Sequence, residues 1–85
     1  MVEIKHIIKD PLGLHARPAG QLVKQASAFT CNIQLGTSAK MVDAKRIMGV
    51  MGLSLKQGDE ITMTFDGDDE TVAAEGMQAF LAENL

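Results

Sequence analysis

Asp10-Pro11-Leu12-Gly13-Leu14-His15-Ala16-Arg17-Pro18-Ala19-Gly20-Gln21-Leu22-Val23 passes from turn chemistry to helix chemistry within a few residues, and the rest of the chain is arranged around it. Pro11 fixes its own φ and Gly13 tolerates conformations that other residues avoid, so residues 10–13 read as a turn. From Ala16 to about Ser27, the residues Ala19, Leu22, Val23 and Ala26 recur at i, i+3, i+4 and i+7, which is one face of an α-helix. Gln21, Lys24 and Gln25 point elsewhere. Pro18 falls in the first turn, where its missing N–H loses no intrahelical bond, and so helps to fix the helix start. That places His15 at or beside the N-cap.

Ahead of the turn, Val2, Ile4, His6 and Ile8 alternate with Glu3, Lys5, Ile7 and Lys9, the pattern of a strand with one buried face. Beyond the helix, Cys31, Ile33 and Leu35 alternate with Asn32 and Gln34. Gly36-Thr37-Ser38-Ala39 is expected to turn the chain into a short strand, Lys40 to Ala44, with Val42 and Ala44 inward. Ile47 to Leu53 holds two glycines and is too short for a strong isolated helix, so it depends on packing. Ile61, Met63 and Phe65 alternate with Thr62, Thr64 and Asp66 as a last strand. From about Asp69 a final helix runs to the C-terminus. Asp69 and Glu70 fall in its first turn, matching the dipole, with Ala73, Met77, Phe80 and Leu81 inward. The order βαββαβα implies a two-layer sandwich, a four-stranded sheet with its apolar face covered by helices and its other face more polar.

With 85 residues, of which 46% are hydrophobic, the chain suits one domain, 1–85, with a single core. Cys31 has no disulfide partner and no Cys/His cluster has ligand spacing, so neither a redox framework nor a metal is expected, and a reducing cytosol is the natural setting. Cys31 reads as a buried apolar side chain. Met1 to His6 lacks a basic segment followed by an apolar stretch, and no run approaches ~18 apolar residues, so a soluble, unexported protein without membrane insertion is expected. The net charge of −3 divides unevenly: all eight Lys and Arg and three acids lie in residues 1–58, and eight acids in residues 59–85. One face is therefore expected to meet an acidic partner or a phosphate, although a merely solubilising acidic end fits the same counts. Nucleic acid is a poor candidate for a chain of negative charge with only three aromatic residues.

A histidine, an adjacent arginine, a helix start and a glycine converge on Gly13-Leu14-His15-Ala16-Arg17-Pro18. A helix N-terminus offers unpaired N–H groups, here those of Ala16 and Arg17, and the positive end of a dipole, which together can hold a phosphate. The Arg17 guanidinium adds a planar fork of donors suited to phosphate oxygens. An imidazole titrates near ~6.5, so around neutral pH much of it has a free lone pair with which to attack phosphorus. The plainer reading, a capping histidine and a surface arginine, stays open on spacing alone. His6 has no basic neighbour at a helix start and is read as a strand residue.

The run Gly13 to Ala19 resembles the phosphohistidine signature of the HPr family, the carriers of the bacterial phosphoenolpyruvate-dependent sugar phosphotransferase system. Lys45, Ile47-Met48-Gly49-Val50-Met51 and Leu53 resemble the motif of that family's second helix, and Gln57-Gly58-Asp59-Glu60-Ile61-Thr62 its entry to the last strand. The three motifs occur in order along the whole chain. The resemblance implies an α+β, open-faced sandwich with a four-stranded antiparallel sheet covered on one face by three helices. It implies that His15 accepts phosphate on Nδ1 from phosphorylated enzyme I and passes it to enzyme IIA domains, with Arg17 steadying the group. Such a protein is a carrier with a phosphohistidine intermediate rather than an enzyme turning over a small substrate, requires no cofactor, works in the cytoplasm, and is expected to be a monomer. The implied docking surface includes Leu12, Ala16, Gly20, Lys24, Arg46, Ile47, Met48 and Met51. Adaptable methionines suit differently shaped partners, and Lys24, Lys45 and Arg46 are expected to rim the patch.

One position departs from the family. Many relatives carry, just before the Ile-Met-Gly-Val-Met run, a serine that a dedicated kinase phosphorylates; this chain has Arg46, which cannot accept that phosphate. An HPr kinase is therefore expected to leave the chain unmodified. Two other functions fit the same residues: a regulatory binding module that transfers no phosphate, and a carrier in a nitrogen-type or dihydroxyacetone-type relay.

Overall fold

A computed structural model describes all residues from Met1 to Leu85. The elements in chain order are β1 (Val2–Ile7), α1 (Ala16–Ser27), β2 (Asn32–Thr37), β3 (Lys40–Asp43), α2 (Ile47–Met51), β4 (Glu60–Asp66) and α3 (Glu70–Asn84). The strands form one four-stranded sheet in the order β1-β4-β2-β3. Every pairing is antiparallel, with Ile4 opposite Met63, Ile33 opposite Phe65 and Leu35 opposite Val42. The fold is the expected open-faced sandwich.

Strand parity decides which face is covered. Ile33, Leu35, Ile61, Met63 and Phe65 are buried, while Thr62, Thr64 and Gln34, on the opposite parity, remain accessible. Onto the apolar face α1 brings Ala19, Leu22 and Ala26, α2 brings Val50, and α3 brings Ala73, Ala74, Met77, Phe80 and Leu81. These residues belong to one continuous core. Because α2 has only five residues, Val50 and the packing of α2 against α1 and β3 hold it in place.

Three boundary expectations change, the first being that β3 ends at Asp43, one residue short of the expected Ala44. The hairpin turn is Ser38-Ala39 alone, since β2 continues through Gly36, opposite Met41, and Thr37, opposite Lys40. Gly36 serves the strand rather than the turn: a Cβ there would collide with the Lys40 carbonyl and lie 2.8 Å from the Met41 Cα. Asp69 is the residue before α3, not part of its first turn, and makes no side-chain cap bond. Its carboxylate instead accepts the N–H groups of Thr30 and Cys31, at 2.9 Å each, and fastens the start of α3 to the approach to β2. Glu70 is the acid in the first turn. His6 lies on the inward parity of the edge strand β1, half-buried, with Nε2 lacking a hydrogen-bond partner.

Candidate functional site

The loop between β1 and α1 is fixed from both sides. Lys9 and Asp10 donate their N–H groups to the Leu85 carbonyl, and the Lys9 carbonyl accepts from the Gln57 side chain at 3.1 Å. Within the loop, Gly13 N–H donates to the Asp10 carbonyl at 2.9 Å, closing the expected turn, and Leu12 N–H donates to Asp10 Oδ1 at 2.9 Å. Gly13 is required twice over. Its φ is +69°, and a Cβ would run into the Leu55 carbonyl. Leu14 N–H donates to that same carbonyl at 3.0 Å, and its buried side chain anchors the loop.

This scaffold delivers His15 as the N-cap of α1, with extended backbone (φ −87°, ψ −177°), and its carbonyl accepts the Ala19 N–H at 3.0 Å. No N–H precedes that bond at residue 18, because it is proline. The N–H groups of Ala16 and Arg17 find no acceptor within the chain. The His15 side chain is about one-third exposed, at 36%, and so is open to solvent. Arg17 is exposed and forms no ion pair, leaving its guanidinium available. His15 and Arg17 line one shallow depression with Asp10, Pro18, Gln21 and Asn84. An imidazole, two free amides and an unpaired guanidinium at a helix N-terminus make a setting for a tetrahedral anion.

The residues expected to dock partners reach solvent. Leu12, Ile47, Met48 and Met51 are exposed apolar side chains, Met48 most of all at 82%. Ala16, Gly20, Lys24 and Arg46 are exposed as well. Since α1 packs on α2, these residues belong to adjoining elements. Lys45 does not join the rim. Its Nζ turns inward and donates to the carbonyls of Phe29 at 2.7 Å and Cys31 at 2.8 Å, tying down the chain between α1 and β2. Of the three basic residues expected at the rim, Lys24 and Arg46 are exposed, the latter with Nε 3.7 Å from Asp43.

The family model for the PTS HPr component phosphorylation site matches residues 2–83. The chain belongs to the HPr family. Phosphocarrier protein HPr of Lysinibacillus sphaericus is 49% identical to it over 74 residues, 87% of this chain and 84% of the relative. The crystal structure of HPr from Thermoanaerobacter tengcongensis superposes with a TM-score of 0.92 at 38% identity, covering 98% of this chain and 93% of that one. Crh of Bacillus subtilis, a catabolite repression protein described as a dimer with a swapping domain, is 39% identical over 100% of this chain and 98% of its own, with a TM-score of 0.77. HPr proteins are phosphocarriers of the phosphotransferase system, so membership carries the coarse function. No helix of this HPr-family chain is long and apolar enough to cross a membrane.

Three residues at the site were not picked out for it from sequence. Asp10 was legible only as a turn former, although its carboxylate lies 3.7 Å from His15. Gln21 could have been found, being four residues after Arg17 on the same helical face. Asn84 could not, since only the tertiary fold returns the end of α3 to the β1–α1 loop.

Proposed function

We propose that the chain accepts a phosphoryl group on His15 from phosphorylated enzyme I and donates it to enzyme IIA domains in sugar uptake, working as a cytoplasmic monomer. The observation that supports this most is the solvent-open His15 imidazole, about one-third exposed, at the N-cap of α1, whose first two N–H groups lack acceptors. In the transfer, the Nδ1 lone pair of His15 bonds to phosphorus while the donor's nitrogen–phosphorus bond breaks and its electron pair stays on the donor nitrogen. The Ala16 and Arg17 amides and the Arg17 guanidinium supply donors for the oxygens as they arrive. An open site suits a group that must leave again, because binding the phosphoryl too tightly would trap it. Leu12, Ala16, Gly20, Lys24, Arg46, Ile47, Met48 and Met51 form the surface that docks both partners. Arg46 removes the serine-phosphorylation route from this reading.

The test is incubation with enzyme I, magnesium and labelled phosphoenolpyruvate, comparing wild type with His15→Ala and Arg17→Ala. The expected results are acid-labile label on wild type, none on His15→Ala, and slowed transfer with an intact fold for Arg17→Ala. Acid-stable label, or label persisting on His15→Ala, overturns the assignment. The likeness to Crh supports a second reading, a regulatory binding module; a wild-type chain that stays unlabelled while binding a partner would favour it. Light scattering that gave a dimer mass would replace the monomer.

A further inference from the structure

Asp10 Oδ2 lies 3.7 Å from His15 Nε2. The rest of Asp10 is held by the backbone around it. Its Oδ1 accepts the Leu12 N–H at 2.9 Å, its carbonyl accepts the Gly13 N–H at 2.9 Å, and its own N–H donates to the Leu85 carbonyl at 3.2 Å. Rotating the carboxylate away from the imidazole would strip the Leu12 N–H of its acceptor. One oxygen serves the turn, and the other is left to face the ring.

We propose that Asp10 is a positioning residue for His15: it holds the proton on Nε2 and thereby leaves the Nδ1 lone pair as the one that attacks phosphorus. This rests on the carrier reading above. A neutral imidazole has one N–H and one lone pair, and an acceptor beside one nitrogen decides which is which. When Nδ1 bonds to phosphorus and the donor's nitrogen–phosphorus bond breaks, the Nε2 proton stays where it was. The ring then carries a positive charge that it lacked before. A carboxylate fixed beside Nε2 stabilises that charge as it develops, as an aspartate does for the imidazolium of a hydrolase triad. The separation of 3.7 Å is loose for a hydrogen bond, and such contacts are commonly long before a reaction partner arrives. The acid stands at Nε2 and not at Nδ1, which leaves Nδ1 as the nitrogen without an acceptor beside it.

The experiment compares wild type with Asp10→Asn and Asp10→Ser, either of which can still accept the Leu12 N–H and keep the turn. The first readout is the ¹⁵N spectrum of the His15 ring about two pH units above the ordinary imidazole midpoint, which reports the tautomer and needs no enzyme I. Wild type is expected to hold its proton on Nε2, and both variants to shift toward Nδ1–H. The second is transfer from phosphorylated enzyme I, expected to fall about tenfold in maximal rate with little change in KM, the pattern of an interaction made at the reacting centre. An unchanged tautomer, an unchanged rate, or a change in KM alone overturns the proposal. If wild type takes no label at all, the carrier reading fails, and the tautomer still decides what Asp10 does. If wild type is labelled on His15 and the variants match it in both readouts, only the Asp10 assignment falls.

Discussion

The carboxylate of Asp69 accepts the backbone N–H of Cys31 at 2.9 Å, joining residues thirty-eight positions apart in the chain. Together with the Thr30 N–H on its second oxygen, this contact pins α3 to the entry of β2. The Thr30 hydrogen bond, and after it those from Cys31, hold the Asp69 carboxyl down at about 2, below the ordinary carboxylate range. A depressed acid adds stability at pH above its unfolded value, and the contribution fades as pH falls toward the folded one. Asp69→Asn is therefore expected to melt several degrees lower near neutral pH, and wild type to lose its advantage over it between pH about 4 and about 2. Thermal melts across that range check this; parallel curves would remove Asp69 from the acid response.

Cys31 itself is expected to be inert in the folded protein. Burial, and next the neighbouring Asp69 carboxylate, push its thiol up to about 11. At about 11, the thiol has roughly a hundredfold less thiolate near pH 8 than an exposed cysteine would have. Alkylation by iodoacetamide should accordingly be at least that much slower in buffer than in concentrated urea. Because the folded value is raised, the stabilising contribution is complete below about pH 9 and disappears as pH climbs toward about 11. Equal alkylation rates for folded and unfolded chain would show the thiol to be accessible.

Local patterns carried most of the fold. Alternation in Ile33-Leu35 and Ile61-Met63-Phe65 placed the buried face of the sheet, and Pro18 fixed the helix start that makes His15 the N-cap. What escaped were ties between distant segments. Lys45 looked like a surface charge because nothing local reveals the Phe29 and Cys31 carbonyls that its Nζ reaches. Asp69 looked like a first-turn acid because its acceptor role lies across the fold. Gly36 looked like a turn glycine because the close approach of Lys40 and Met41 exists only once the strands pair. At the site, His15 and Arg17 were readable as a motif, whereas Asp10 became part of it only when the turn brought its carboxylate to within 3.7 Å of Nε2.

Gly20 occupies the interior of α1, is exposed, and would meet nothing within 4 Å if given a Cβ. Its φ is not in the left-handed region, so the backbone does not require glycine there. Gly20→Ala is expected to stabilise the protein by about 0.5–1 kcal/mol, since glycine loses more freedom on entering a helix than alanine does. Urea titration should show a higher midpoint with an unchanged slope. A lower midpoint would mean that the open space beside Gly20 is needed by the fold itself.

Met48 and Val50 stand two residues apart in α2 and face opposite ways, the first 82% exposed and the second fully buried. If α2 is a docking element, the two should separate cleanly when truncated. Met48→Ala leaves the core intact, so its folding stability should stay within about 0.5 kcal/mol of wild type. An exposed apolar anchor at an interface is worth on the order of 1–2 kcal/mol, so the same change should raise the KM for enzyme I roughly five- to thirtyfold, with the maximal rate kept. Val50→Ala removes part of the packing that holds a five-residue helix, and should cost about 1.5–3 kcal/mol of stability. Denaturation and steady-state transfer measured on both variants test the contrast. A Met48→Ala protein that is less stable but transfers normally would place Met48 among the structural residues and move the docking surface away from α2.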